Sequence, residues 1–286
     1  MKLSDTVLII PPNDAEAVLI MRIADKMGIN IIRSGQAHGA TLDKGRDFVA
    51  TVRKGGWKKV IVVEMPGVKN EEKIKKFGIE LVIIDHHYYD DLDRAHNKKT
   101  GKVLPSSLEQ FLKLFRLGSV RLKKLGFNPR LVRGIAIMDR GFVWALRRAH
   151  YSKKEIEKII DYQKQLMGSV KDMSHEKKKD KIAEDLWKIR KQWGKFIVIE
   201  DNSGIGMRSR ISLIIAREIG KPTSLIIVEK KRGFIYVQES KHARALLKHF
   251  GGFTFGMDCN WGYQNSKKKK KVTLEKVQGF LETVIK

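Results

Sequence analysis

The sequence predicts an α/β protein: a doubly wound, mainly parallel sheet, joined by a helical connector to a smaller α/β domain. Three observations carry that reading. From Thr6 to Asp85 short apolar runs alternate with amphipathic stretches, the pattern of strand–helix–strand units. Residues 152–195 contain no Pro, are rich in Lys and Glu, and space Ile156, Ile159, Ile160 and then Ile182, Leu186, Ile189 as helices do. After residue 196 the strand–helix alternation begins again. The expected boundaries are therefore 1–151 for the larger domain, 152–195 for the connector and 196–286 for the smaller domain.

Each element has a local cause. TVLII (6–10) is an apolar run stopped by Pro11-Pro12, a first strand. Asn13 or Asp14 can cap the following helix, which runs through Leu19, Met21 and Ile23 until Gly28 ends it. INII (29–32) is a second strand, and a helix carrying Phe48, Val49 and Val52 follows. The third strand, in KKVIVVEMPG (58–67), stops at Glu64 before Pro66-Gly67; an exposed helix (70–78) leads to the fourth, apolar from Leu81 to Ile84. Ser106 and Glu109 form a capping box for a helix over 105–118. The apolar run Gly134–Met138 reads as a later strand ending at Asp139. The connector bends near Gly168-Ser169. In the smaller domain, strands are expected at 196–200, 224–229 and 233–240, and helices at 211–220, 242–252 and 272–285, around a glycine- and aromatic-rich stretch, FTFGMDCNWGYQNS (253–266).

The net charge is +26, spread as +12 over residues 1–151, +5 over 152–195 and +9 over 196–286. Such a chain attracts polyanions, and in a cell that means RNA or DNA, or a ribonucleoprotein such as the ribosome. A lysine-rich thermophilic composition normally raises Glu alongside Lys, whereas here 58 basic residues face 32 acidic ones. One cysteine excludes an internal disulfide and a Cys-based zinc cluster. No apolar run is long enough to span a membrane, and MKLSDTVLII reaches Pro11-Pro12 too soon for a signal peptide. The expected location is the cytoplasm.

The acids stand where chemistry would want them. Asp14 and Glu16 follow the first strand, Glu64 the third, Asp85-His86-His87 the fourth, and Asp139 the later one. C-terminal ends of parallel strands share one edge, where open α/β sheets bind ligands. Any one of these acids, taken alone, reads better as a helix cap or a solvent-facing group. All of them at successive strand ends read as carboxylates and imidazole gathered for two Mn²⁺ or Mg²⁺ ions. In the smaller domain, SGIGMRSR (203–210) is either a plain glycine turn or a phosphate cradle helped by Arg208 and Arg210. Phe253, Phe255, Trp261 and Tyr263 beside Lys267, Lys268, Lys269, Lys270 and Lys271 either fill the core or stack unpaired bases along a cationic strip.

Asp85-His86-His87 followed by PSSLEQF, with this order of acids and a GG-rich turn near the end, resembles the DHH phosphoesterase superfamily, which includes RecJ-type exonucleases, oligonucleotide-degrading nanoRNases and archaeal RecJ-like proteins. The resemblance spans nearly the whole chain; residues after about 196 resemble the accompanying DHHA1 domain. It implies Mn or Mg as cofactor. It implies further that Asp85 and His86 lie at the metal pair, with His87 close to substrate phosphate. Asp14-Ala15-Glu16-Ala17 matches the family's DADG, whose two Asp are metal ligands; Glu64 matches a bridging Asp, and Asp139 the Asp of the fourth motif. The substrate-gripping GGGH falls at Gly251-Gly252-Phe253-Thr254. The chain departs from the pattern with Glu at 16 and 64, Ala at 17, and no histidine after the glycine pair. Those departures predict a nucleic-acid- or ribonucleoprotein-binding protein with degenerate or lost catalysis, of the kind that sits in replication complexes with GINS. The alternative is a Mn-dependent phosphodiesterase or exonuclease acting on single-stranded RNA or DNA or short oligonucleotides, with Asp85, His86 and His87 catalytic and Asp14, Glu16, Glu64, Asp85, His86 and Asp139 on metal.

Overall fold

The computed structural model describes all residues except 1, 37–38, 45–46, 90–91, 170–172, 257–258, 268–270 and 286; of residues 173, 175 and 267 it describes the backbone alone. The chain divides into two compact units, Met1–Arg140 with Ala149–Lys171, and Gly141–Arg148 with Asp172–Lys286.

The first unit begins with β1 (Thr6–Ile10), α1 (Ala15–Lys26), β2 (Asn30–Arg33), α2 (Phe48–Gly55), β3 (Lys59–Val63), α3 (Val68–Lys76) and β4 (Glu80–Ile84). A short hairpin, β5 (Tyr88–Tyr89) and β6 (Leu92–Asp93), follows, then α4 (Ser107–Leu114), α5 (Ser119–Lys124), α6 (Pro129–Arg148), which kinks at Gly141 and Phe142 and whose part from Gly141 on belongs to the second unit, and α7 (Lys153–Gly168). The four main strands form one parallel sheet in the order β2-β1-β3-β4. Every residue of β1 and β3 is buried, which is why both read as unbroken apolar runs. Val7, Ile9, Val60 and Val62 pack with Phe48, Val52 and Ile74 from α2 and α3 on one face, while α1 and α4 pack together. β4 is an edge strand, and only Ile84 is fully buried in it.

In the second unit α8 (Met173–Lys188) leads to β7 (Lys191–Trp193), β8 (Phe196–Asp201), α9 (Arg208–Glu218), β9 (Leu225–Glu229), β10 (Phe234–Gln238), α10 (Ala243–Phe250), β11 (Phe253–Phe255), β12 (Asn260–Gln264) and α11 (Leu274–Val284). The sheet order is β11-β12-β10-β9-β8-β7, parallel at β8–β9 and antiparallel at its other pairs. Its core joins Ile235, Val237, Trp261 and Tyr263 to Leu246, Val277 and Leu281 of α10 and α11. No described helix is long and apolar enough to cross a membrane.

Three expectations are corrected. Residues 134–138 are helix, not strand: a short apolar run has no period that separates a buried helix from a buried strand. Val132, Ile135, Ala136 and Met138 supply a helical buried stripe, and a Cβ on Gly134 would lie 2.4 Å from Ile159, so the glycine lets α7 come close. Lys191–Trp193, read as connector helix, is an edge strand. The aromatic stretch after Gly252 holds two paired strands. Trp261 is the largest fully buried side chain, and its Nε1 donates to the Gly251 carbonyl at 2.8 Å. Trp261→Ala should cost about 3–5 kcal/mol and Trp261→Phe less, through loss of the hydrogen bond and a smaller cavity, both read by urea unfolding of the full chain.

Candidate metal centre

The strand order brings the ends of β1, β3 and β4 side by side. From β1 the chain turns to one neighbour, β2, and from β3 it turns the other way to β4, so the sheet's crevice opens between β1 and β3. Asp14 caps α1, its Oδ1 accepting from the Ala17 N–H at 2.8 Å. Within the first turn, Glu16 is 2% exposed, and its Oε1 accepts from the Leu108 N–H at 2.9 Å, in the first turn of α4. That helix start is fixed by the expected capping box, Ser106 Oγ accepting from the Glu109 N–H and the Glu109 carboxylate from the Ser106 N–H. Glu64 leaves β3 with φ 52°, a left-handed conformation rare for a residue with a side chain. Asp139 projects from α6.

These groups meet at one atom. His86 Nε2 lies 2.9 Å from Asp139 Oδ2, 3.4 Å from Glu64 Oε1 and 3.7 Å from Glu16 Oε2. None of the three is aligned for a hydrogen bond, and both His86 Nε2 and Glu16 Oε2 are buried without one. Oxygen donors with an imidazole are the set preferred by Mn²⁺ and Mg²⁺. Ligands at right angles about an ion with bonds of about 2.1 Å sit about 3 Å apart, and opposite ones about 4.2 Å. The spacings here fall in or at the edge of that range, so the residues fit such a cation. The glutamates' extra methylenes do not carry their carboxylates past the cluster.

Asp85 stands one step behind. Its Oδ1 accepts from the N–H groups of His86 (2.8 Å) and His87 (3.1 Å) and faces His87 Nδ1 at 3.0 Å. Its Oδ2 accepts from the Tyr89 hydroxyl at 2.9 Å, and its backbone carbonyl accepts from Gln110 Nε2 at 2.7 Å. Asp85 is expected on metal; in the structure both of its carboxylate oxygens accept hydrogen bonds that hold the turn. His87, whose side chain is 49% exposed, lies beside His86 with ring centroids 4.4 Å apart and planes tilted by 47°, and forms a second cluster with Glu64 and His86. Sequence reading missed Tyr89, Gln110 and the Leu108 N–H. The tyrosine's place four residues past Asp85, in the short strand that follows it, was the available signal for the first.

The electrostatics follow from crowding. Burial, then the charges of Glu64 and Asp139, push Asp14 up to about 7. Burial, Asp139 and Glu64 hold Glu16 well above the ordinary carboxylate range. Burial alone would lower His86, but Asp139 and Glu64 outweigh it and push it up to about 11. Without a cation, protons therefore balance the site. A folded chain that keeps Asp14 protonated between about pH 4 and 7, and His86 protonated between about pH 6.5 and 11, binds more protons than the unfolded chain throughout, so stability falls as pH rises. The Tm of metal-free protein is expected to decline steadily from about pH 5 to pH 9, and millimolar Mn²⁺ to raise it more at the alkaline end, where fewer protons must first be displaced.

The expected nucleic-acid residues of the second unit separate. Arg210 is bound to Glu176 and Asp180. In the SGIGMRSR turn the Met207 N–H donates to Glu229 Oε1 at 2.7 Å, so the chain's own carboxylate takes that donor. Trp261 and Tyr263 are core residues, which corrects their assignment to base stacking: no ring face is open. A Cβ on Gly252 would lie 2.3 Å from the Gly262 carbonyl oxygen, so this glycine permits close packing. Lys271 Nζ donates to the Asn265 carbonyl; Lys268, Lys269, Lys270 and the Lys267 side chain lie outside the described residues. Arg208 lies over the rings of Tyr236 and Phe255.

No protein-family model and no curated protein sequence matches the chain. Among solved structures it is similar to the DHH domain of a member of a ribosomal-protein family, with 12% identity and a TM-score of 0.52 over 98% of this chain and 86% of that one. It is also similar to manganese-bound exonuclease RecJ (13% identity, TM-score 0.43, 91% of this chain and 85% of that one). A third similar structure is the pGpG-specific phosphodiesterase PggH of Vibrio cholerae (11% identity, TM-score 0.44, 98% of this chain and 97% of that one). With its parallel four-stranded sheet and flanking helices, the chain has the fold of the DHH superfamily.

Proposed function

We propose that the chain is a Mn²⁺- or Mg²⁺-dependent phosphodiester hydrolase acting on single-stranded RNA or DNA or on short oligonucleotides. The supporting observation is the convergence of Glu16, Glu64 and Asp139 on His86 Nε2 within 3.7 Å, with Nε2 and Glu16 Oε2 left without hydrogen bonds. Asp14, Glu16, Glu64, His86 and Asp139 would hold the cation. When bound, it lowers the pKa of a water and neutralises phosphate charge.

The chain's own residues do the rest. Asp85 fixes His87 Nδ1–H, which turns Nε2 toward solvent and substrate. Burial alone would lower the His87 pKa, but Asp85 and Glu64 raise it, so the ring is positioned as an imidazolium that donates from Nε2 to a phosphate oxygen or to the leaving oxygen. Tyr89 stays protonated, because burial and Asp85 push its pKa above its ordinary value, and it holds the second Asp85 oxygen. The charge of +26 draws the polyanion in.

A second reading is binding to nucleic acid or a ribonucleoprotein without turnover, with the ribosome or a replication protein such as GINS as partner. The observation in its favour is Gly251-Gly252, which has no histidine after it and whose second glycine is packed against Gly262.

Purified chain with Mn²⁺ and end-labelled single-stranded RNA and DNA separates the two. Metal-dependent cleavage is expected, reduced more than about 100-fold in Asp139→Asn and His86→Ala, beyond the 10–100-fold typical of residues that only support a ligand. No cleavage of any substrate with either metal would sink the hydrolase and leave the binding protein.

A further inference from the structure

Strand register splits the side chains of β10, β11 and β12 between two faces. Tyr236 pairs with Gly262, and Gly262 with Phe253. By alternation, Phe234, Tyr236, Phe253 and Phe255 share one face, and Ile235, Val237, Trp261 and Tyr263 the other. The second set is core; none of the first set belongs to it. The outer rings form a continuous array. Phe234 and Tyr236 stack at 5.4 Å with their planes 5° apart. Tyr236 meets Phe253 and Phe255 edge-on at 6.4 and 6.3 Å, and those two lie 5.9 Å apart. A Cβ on Gly262 would fall 2.6 Å from the Phe253 ring and 2.9 Å from that of Tyr236, so glycine there keeps the array unbroken. Phe253 is 41% exposed.

Two guanidinium groups lie over this array. Arg208 sits 4.1 Å above Phe255 and 5.7 Å from Tyr236; Arg232 sits 5.0 Å above Phe234 and also pairs with Glu229. Arg208 is half-buried and makes no hydrogen bond within the described residues, so its fork of donors lacks an acceptor. Tyr236 is buried, so the face is open only at its rim, where exposed Phe253 stands beside half-buried Phe234 and Phe255. This rim carries aromatic rings, a guanidinium without a hydrogen bond and a segment charge of +9 over residues 196–286. Rings offer a stacking surface to any planar base, and an unsatisfied guanidinium offers donors to a phosphate. Duplex nucleic acid keeps its base faces covered and cannot use the rings.

We propose that the Phe234–Tyr236–Phe253–Phe255 face is a binding site for unpaired nucleobases, with a base stacked on Phe253 and Arg208 donating to the adjoining phosphate. This rests on the reading that the substrate is single-stranded nucleic acid, and it requires no hydrolysis.

The test is fluorescence anisotropy of the full chain in EDTA with labelled oligo(U), oligo(dT), a duplex of equal length, and heparin as a charge-only competitor. Phe253→Ala should weaken binding to the single strands about 5- to 100-fold, the usual range for one stacked base. It should leave heparin binding unchanged, and Phe253→Trp should bind at least as tightly as the parent chain. Arg208→Gln should weaken single-strand binding and lower the salt slope by about one. Preference for oligo(U) or oligo(dT) identifies RNA or DNA, and either supports the site. Single-strand binding unchanged in both Phe253→Ala and Arg208→Gln, or a parallel loss of heparin and duplex binding in Phe253→Ala, overturns it. Binding that behaves as expected while no substrate is cleaved removes the hydrolase alone.

Discussion

Carboxylates crowded into one buried corner repel each other, and much of the first unit is arranged around that repulsion. Two like charges about 4 Å apart near a protein surface cost about 4 kcal/mol, and Asp14, Glu16, Glu64 and Asp139 all act on one another here. The chain supplies His86 at the centre and the first-turn N–H of α4 at Glu16. That is less positive charge than the cluster carries negative. Burial first, and then this unbalanced repulsion, push Asp14 and Glu16 toward the neutral form, so protons make up the remainder. A site so balanced exchanges protons for a divalent cation readily, and the off-axis, unsatisfied His86 Nε2 is the geometric counterpart of that imbalance.

The means of holding the cluster are in the backbone. Parallel strands β1, β3 and β4 deliver three chain ends to one edge, and the turn after β4 is tied by Asp85 to two N–H groups, His87 and Tyr89. Glu64 occupies the left-handed region, a conformation that costs on the order of 1–3 kcal/mol and persists only where surroundings enforce it. Here the β3–β4 ladder enforces it, through the Glu64 N–H to the Ile84 carbonyl at 3.0 Å. The turned backbone aims a side chain one methylene longer than aspartate at His86. Glu16 is drawn back instead by the N–H of Leu108.

What was legible in the sequence, and what was not, follows from these contacts. β1 and β3 are legible because strands buried on both faces are apolar without interruption, and the acids just beyond them mark the edge. The alternation of short runs fixes a parallel sheet before any contact is known. The same shortness misleads at 134–138, where a buried stripe of α6 looks like a strand. Glu16 and Glu64 look like drift in a list of residue types, since side-chain length is visible and backbone direction is not. Nothing in a linear chain says that the oxygens of Asp85 hold the turn as well. Arg210 looks like a phosphate contact until α8 brings Glu176 and Asp180 to it.

Pairing register is the least legible property of all, and it matters most in the second unit. Phe253, Phe255, Trp261 and Tyr263 form one aromatic cluster in sequence, but β11 and β12 run antiparallel and send them to opposite faces. A shift of one residue would exchange the two sets. Trp261 anchors the register, because its ring fills the core and its Nε1 reaches the Gly251 carbonyl. Gly262 completes it on the other side, admitting rings where a side chain would collide. The core residue and the glycine beside it thus determine which aromatics remain outside. Phe253 on that face keeps 41% of its surface in water, forgoing hydrophobic burial that a core position would have gained. Its array of neighbours and the unpaired guanidinium over Phe255 make sense as surface kept for a ligand that is both planar and anionic.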